Sequence, residues 1–121
     1  MNIYLNIENF NINNIYYHEP INNTVINDSF FIKIIYSNHL FITNGLHIKI
    51  SIDDNFSINF LTNLEKNILY LYNRDTKFNL KIKDQFNYYI NKHNSKNLIL
   101  KISGFWENKN GIGITSKFII I

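Results

Sequence analysis

Lysine and aromatic residues recur together on single faces of strand-like runs, and this is the clearest chemical pattern in the sequence. In a strand successive side chains point to opposite sides, so residues two apart share a face. By that rule Phe31 and Lys33 share a face, as do His47 and Lys49, Lys81 and Lys83, and, four apart, Lys101 and Phe105. Lys117 lies on the last run. Cations neutralise phosphates and flat rings stack on unpaired bases, so adjoining faces of this kind suit single-stranded nucleic acid. The spacing also allows a second reading. In it Phe31 and Phe105 form a small apolar cluster under a helix, and the lysines only solvate the sheet.

The other chemically capable residues lead away from catalysis. His18, His39, His47 and His93 lack the i, i+4 helical spacing of a zinc site, and none adjoins a carboxylate cluster. His39 and His47 flank Asn44-Gly45 and would meet as an exposed cross-strand pair. Asp53-Asp54 is the one adjacent pair of carboxylates, where a strand gives way to a loop, an ordinary solvated place for acids. Gly111-Ile112-Gly113 belongs to a strand hairpin and does not precede a helix, so it is no phosphate cradle. Ser103 and Ser116 have no placed base to activate them. The expectation is a protein without enzymatic activity, cofactor or metal.

Composition sets wide bounds. With 121 residues, 45% of them hydrophobic and 16% aromatic, the chain can build a core, and residues 1–121 read as one domain. A formal net charge of +3 permits a polyanionic partner without demanding one. Cysteine is absent, which excludes disulfides and thiolate chemistry. The opening MNIYLNIENFNINN has no basic region followed by an apolar run, so no signal peptide is expected. No apolar run is long enough to span a bilayer as a helix. A soluble, intracellular protein is expected.

The elements that must position the lysines follow from periodicity. Residues 2–12 alternate through Ile3, Leu5 and Ile7, then shift parity at Phe10 and Ile12, as a first strand with a bulge near Asn9 would. Tyr16 to Asn23 reads as irregular connection. Ser29–Ser37 is a strand with Phe30, Ile32, Ile34 and Tyr36 on one face and Phe31, Lys33 and Ile35 on the other. Asn44-Gly45 between two alternating runs signals a hairpin, followed by Leu46, Ile48, Ile50 and Ile52 on one apolar face.

The period then changes. Leu61, Leu64, Ile68, Leu71 and Tyr72 mark a helix from Asn59 or Thr62 to Asn73, with Thr62 and Glu65 spaced as a capping box. Leu80 and Ile82 alternate with Asn79, Lys81 and Lys83 as a short strand. A shorter helical turn around Asp84 to Asn91 would turn Phe86, Tyr89 and Ile90 inward, and His93-Asn94-Ser95 is the next loop. The C-terminal segment, Asn97 to Ile121, is a β-hairpin around Asn108-Lys109-Asn110-Gly111. In it Leu98, Leu100, Ile102, Trp106 and Phe118 look inward and Lys101, Phe105 and Lys117 look outward. The fold expected is mainly β: a small antiparallel Greek-key, OB-like barrel with one inserted helix and a second short helix.

The C-terminal segment also resembles a known family. Lys101-Ile102-Ser103-Gly104-Phe105-Trp106-Glu107, then Gly113, Ile114, Lys117 and Phe118, is similar to a pattern in OB-fold single-stranded-DNA-binding proteins of large nucleocytoplasmic DNA viruses. That family is related to the single-strand-binding protein of short-tailed coliphages. Lys33-Ile34-Ile35-Tyr36-Ser37, Phe41 through Leu46, Leu64-Glu65 and Ile68-Leu69 are similar to its first half. The likeness runs over residues 30–121 and is concentrated in the last twenty-five. It implies sequence-independent binding of single-stranded DNA in support of viral or mobile-element replication, in the host cytoplasm or at a site of viral replication; the sequence does not exclude RNA.

On this reading Lys33, Lys49, Lys101 and Lys117 neutralise phosphates, and Phe31, Tyr36 or Phe105 stacks bases. Two features depart from the family. Phage-type members carry an acidic tail where this sequence ends Ile119-Ile120-Ile121, and Ser116 stands where an aromatic residue is expected. Contact with a polymerase or helicase through such a tail is therefore not expected. The alternative is a structural or assembly protein that forms a homodimer through its apolar C-terminal strand, because an exposed strand ending Phe-Ile-Ile-Ile is an aggregation hazard unless paired.

Overall fold

The structure, a computed structural model, describes residues 4–22, 28–53, 56–73, 75–93 and 96–120. Ile3, Asn23, Asp54, Asn94, Ser95 and Ile121, which figure in the expectations above, lie outside the described residues. In chain order come β1 (Leu5–Asn6), two short 3-10 turns (Ile7–Asn9 and Ile12–Asn14), β2 (Ile15–Tyr17), β3 (Ile21–Asn22) and β4 (Phe30–Ser37). There follow β5 (Ile42–Asn44), β6 (Leu46–Ser51), α1 (Asn59–Tyr72) and β7 (Phe78–Asn79). Last are α2 (Ile82–His93), β8 (Asn97–Asn108) and β9 (Gly111–Ile120).

Strand β8 is the axis of the sheet. One edge carries β9 along almost its whole length, from Leu98 opposite Ile120 to Asn108 opposite Gly111. Its other edge is shared, with β6 along Asn97–Ile102 and β4 along Gly104–Glu107. The C-terminal half of β4 carries β2 and β5. Two pairs are parallel, β1 on β6 and β7 on β9, so the sheet is mixed rather than wholly antiparallel. Among the described residues the path β1-β6-β8-β4-β2 is not closed on itself. The protein is thus mainly β with two helices, and its sheet is not closed into a barrel.

The core is one continuous cluster. Ile32, Ile34 and Tyr36 from β4, Leu46, Ile48 and Ile50 from β6, and Leu98, Leu100, Ile102 and Phe105 from β8 meet Leu61, Ile68 and Leu69 of α1 and Ile82 and Phe86 of α2. Among the described residues no helix is long and apolar enough to cross a membrane.

Several local expectations are corrected by tertiary partners. The first strand is only Leu5–Asn6, after which the chain makes 3-10 turns. Asn11 explains the second: its Oδ1 accepts from the Asn13 N–H at 2.9 Å, a local bond that competes with strand pairing. Tyr16 and Tyr17, read as connection, belong to β2, and Ile21–Asn22 forms β3. Gly45 does take the left-handed conformation, at φ +77°. Yet β5 pairs with β4 and β6 pairs with β8, so Asn44-Gly45 joins two neighbouring ladders and closes no hairpin between β5 and β6. His39 and His47 are therefore not a cross-strand pair.

The capping box is replaced by a different device. Helix α1 begins at Asn59, which puts Thr62 inside it, and Glu65 points into the protein, 1% exposed. Its Oε2 accepts from the Lys81 N–H at 2.9 Å and its Oε1 from the Ile82 N–H at 3.1 Å. A carboxylate on one helix thus caps the free N–H groups that open the other. This is why Ile82, expected in a strand, starts α2 and is fully buried.

Candidate nucleic-acid interface

Both helices bury their apolar side chains on one face of the sheet, which leaves the outer face of β4, β6, β8 and β9 for the lysines. Residues directly opposite one another on paired strands lie on the same face. Two rows cross the sheet by that rule. One runs His47–Lys101–Lys117 over β6, β8 and β9. The other runs Ile21–Phe31–Trp106–Gly113–Asn79 over β3, β4, β8, β9 and β7. Lys33 lies between the rows, opposite the bare backbone of Gly104. Tyr16, exposed and opposite Ile35, extends the same face onto β2.

Three of the residues singled out from sequence come together here. Phe31, Lys33 and Lys101 line one groove of about 200 Å³ with Asn44, Gly45 and Ser103. Lys33 and Lys117 are exposed, and Phe31 and Lys101 half-buried. Lys49 is exposed on the same face, two residues along β6 from His47 and opposite Ile99, where it lines a pocket of about 330 Å³ with Glu8 and Asp53. It therefore shares its pocket with two acids, whereas the groove that Lys33 and Lys101 line holds none.

Tyr36 and Phe105 are not on this surface. Tyr36 is 1% exposed, between Phe10 and Phe41 with ring centroids 6.0 and 6.1 Å away, and its hydroxyl accepts from the Asn11 N–H at 3.1 Å. Phe105 is fully buried and stacks on Tyr72 at 5.3 Å. Next to it the Tyr72 hydroxyl donates to Glu107 Oε1 at 2.9 Å. Burial first, and then that carboxylate, push the Tyr72 phenol up to about 12. Neither Tyr36 nor Phe105 has a ring face to offer a base.

The inversion of Phe105 and Trp106 has one cause. The β8–β9 register passes from Ile102 opposite Ser116 to Gly104 opposite Thr115, which leaves Ser103 as an extra residue on β8. A bulge of this kind reverses the parity of everything after it. Phe105 therefore joins Ile102 in the core, and Trp106, expected inward, lies half-buried on the outer face. The glycine after Ser103 is the sequence signal that marks the bulge, because an isolated glycine in a strand often does.

Trp106 is the ring on this face that reasoning from parity missed. Its indole lies against Gly113, where a Cβ would stand 2.5 Å from Cε2 and Cζ2. The Lys81 ammonium lies over the ring, 5.7 Å from its centroid. Lys81 was itself placed on a strand face with Lys83, whereas it stands immediately before α2.

His47 adds no charge to the row. Burial, and then the Lys101 ammonium opposite, hold its imidazole below the usual value. Its Nδ1 is buried without a hydrogen-bond partner, and its ring meets Tyr4 edge-on at 6.4 Å. Among the described residues no three His, Cys, Asp or Glu side chains gather as metal ligands. Ser116 donates to Gln85 Oε1 at 2.8 Å, a bond to a neutral amide and not to a base.

No protein-family model, curated protein or solved structure matches the chain.

Proposed function

We propose that the outer sheet face binds single-stranded DNA without reading its sequence, by lysine–phosphate contacts and base stacking. The observation that carries this reading is the company Lys33, Lys101 and Lys117 keep with two half-buried rings, Phe31 and Trp106, on one helix-free face. Lys101 and Trp106 are separated by roughly 15 Å of strand at about 3.3 Å per residue. A flexible strand laid along β8 would meet cations and then rings. A base stacked on an aromatic side chain gains about 1–3 kcal/mol whatever its identity. A duplex has its bases already stacked and gains only the phosphate contacts, so the face should prefer single strands.

The chemistry asked of the protein is protection and straightening of exposed template, with no bond made or broken. The resemblance of the C-terminal segment to viral single-strand-binding proteins suggests that the setting is replication of viral or mobile-element DNA. Lysine–phosphate contacts and ring stacking do not themselves read the sugar, so single-stranded RNA belongs in the test as a competitor.

A second reading has one observation behind it. Ile119 and Ile120 on β9 are each 38% exposed, as a strand that pairs with a second copy would be. Anisotropy of a labelled oligo(dT), competed with duplex DNA and with oligo(U), separates the readings. Single-strand preference that fades as salt rises supports the first. Equal and weak binding to every competitor removes it.

A further inference from the structure

We propose that Lys81 is a displaceable cover on Trp106: in the free protein its ammonium occupies the ring face that a base will take, and on binding it moves to the phosphate beside that base. This deepens the single-strand-binding reading and rests on it. The indole has two faces. One is closed by the backbone of Gly113, so closely that a Cβ there would stand 2.5 Å from Cε2 and Cζ2 and 2.6 Å from Nε1. The other faces outward and is met by the Lys81 ammonium, 5.7 Å from the ring centroid. A base has therefore one way onto Trp106, and it leads through Lys81.

The exchange is favourable in each of its parts. At an exposed site a cation–π contact is weaker than base stacking on the same ring, so the base wins the indole. The displaced ammonium is not lost, since every stacked nucleotide brings a phosphate with it. The backbone end of Lys81 stays fixed throughout, because its N–H donates to the buried Glu65 carboxylate at 2.9 Å. The same carboxylate takes the Ile82 N–H, so neither of these two backbone donors is free to hold the phosphate. The task falls to the lysine's flexible stem. Glu65 acts as a positioning residue, holding the root of a side chain whose tip must swing.

Two measurements on the intact protein test this, using Trp106, the sole tryptophan, as the reporter. Without nucleic acid, Lys81→Ala should make Trp106 more accessible to acrylamide quenching, because the cover is removed. With oligo(dT) of roughly 16 nucleotides, wild-type emission should be quenched at saturation. Lys81→Ala should still show that quenching, with the slope of log affinity against log salt reduced by about 0.7 because one phosphate contact is missing. Binding that leaves Trp106 emission unchanged, or an unchanged salt slope in Lys81→Ala, overturns the proposal while the single-strand reading stands. No binding by either protein overturns both.

Discussion

The indole of Trp106 lies across Gly113, where a Cβ would stand 2.5 Å from Cε2 and Cζ2 of the ring. Gly113 is not among the residues with positive φ, so alanine suits its backbone and only the ring objects. Gly113→Ala should therefore fold but lose about 1–3 kcal/mol through overpacking, as read by chemical denaturation. Its tryptophan emission should shift to the red as the indole is pushed off the sheet, and single-strand affinity should fall with it. An unchanged spectrum would place the indole elsewhere.

Glu65 predicts a pH dependence with a definite sign. Burial raises its carboxyl above the ordinary 4.5, the largest cause, against the lowering effect of the Lys81 and Ile82 N–H bonds. The folded protein therefore holds this proton more tightly than the unfolded chain. The stability so contributed is complete below about 4.5 and is lost as pH rises through the folded value. Wild-type protein should thus gain stability relative to Glu65→Gln as the buffer is taken from pH 7 towards 4.5, the other carboxylates cancelling in the difference. Parallel stability curves would show Glu65 to be better solvated than its burial indicates.

The C-terminal strand belongs to the core. Phe118 is 4% exposed, pairs with Leu100 and touches Phe86 at 5.9 Å. Phe118→Ala should cost about 3–5 kcal/mol, and deletion of residues 117–121 should abolish the cooperative unfolding transition. A truncated chain that stays folded but changes from dimer to monomer in light scattering would instead favour assembly through β9.

The lysines should not be equivalent. Lys33→Gln, Lys101→Gln and Lys117→Gln should each lower the salt slope for oligo(dT) by about 0.7. Lys49→Gln should leave it nearly unchanged, because Lys49 shares its pocket with Glu8 and Asp53. A full effect at Lys49 would route the nucleic acid over β6.

These residues also show what a sequence can disclose. The alternation of Phe30–Ser37 and the two arms of the C-terminal hairpin were legible, because each arm's own pleat dictates which side chains share a side. The helix over Asn59–Tyr72 was legible from its apolar stripe. Phe31, Lys33, Lys101 and Lys117 could accordingly be assigned to the outer face. What could not be read was decided between distant segments. One extra residue, Ser103, exchanges Phe105 for Trp106 on that face. Glu65, sixteen residues before Lys81, turns an apparent strand at Leu80–Lys83 into the start of a helix. Gly45 takes the left-handed conformation, but Asn44 stays within β5, and each flanking strand finds its partner in β4 or β8.

The central claim is that single strands bind where Trp106 can feel them. The most direct measurement follows Trp106 emission while oligo(dT), and separately a duplex of equal length, is added at physiological salt. The structure predicts saturable quenching by the single strand at concentrations well below those the duplex requires, weakening steeply as salt is raised. Equal binding to both, micromolar or weaker and without change in Trp106 emission, would contradict it.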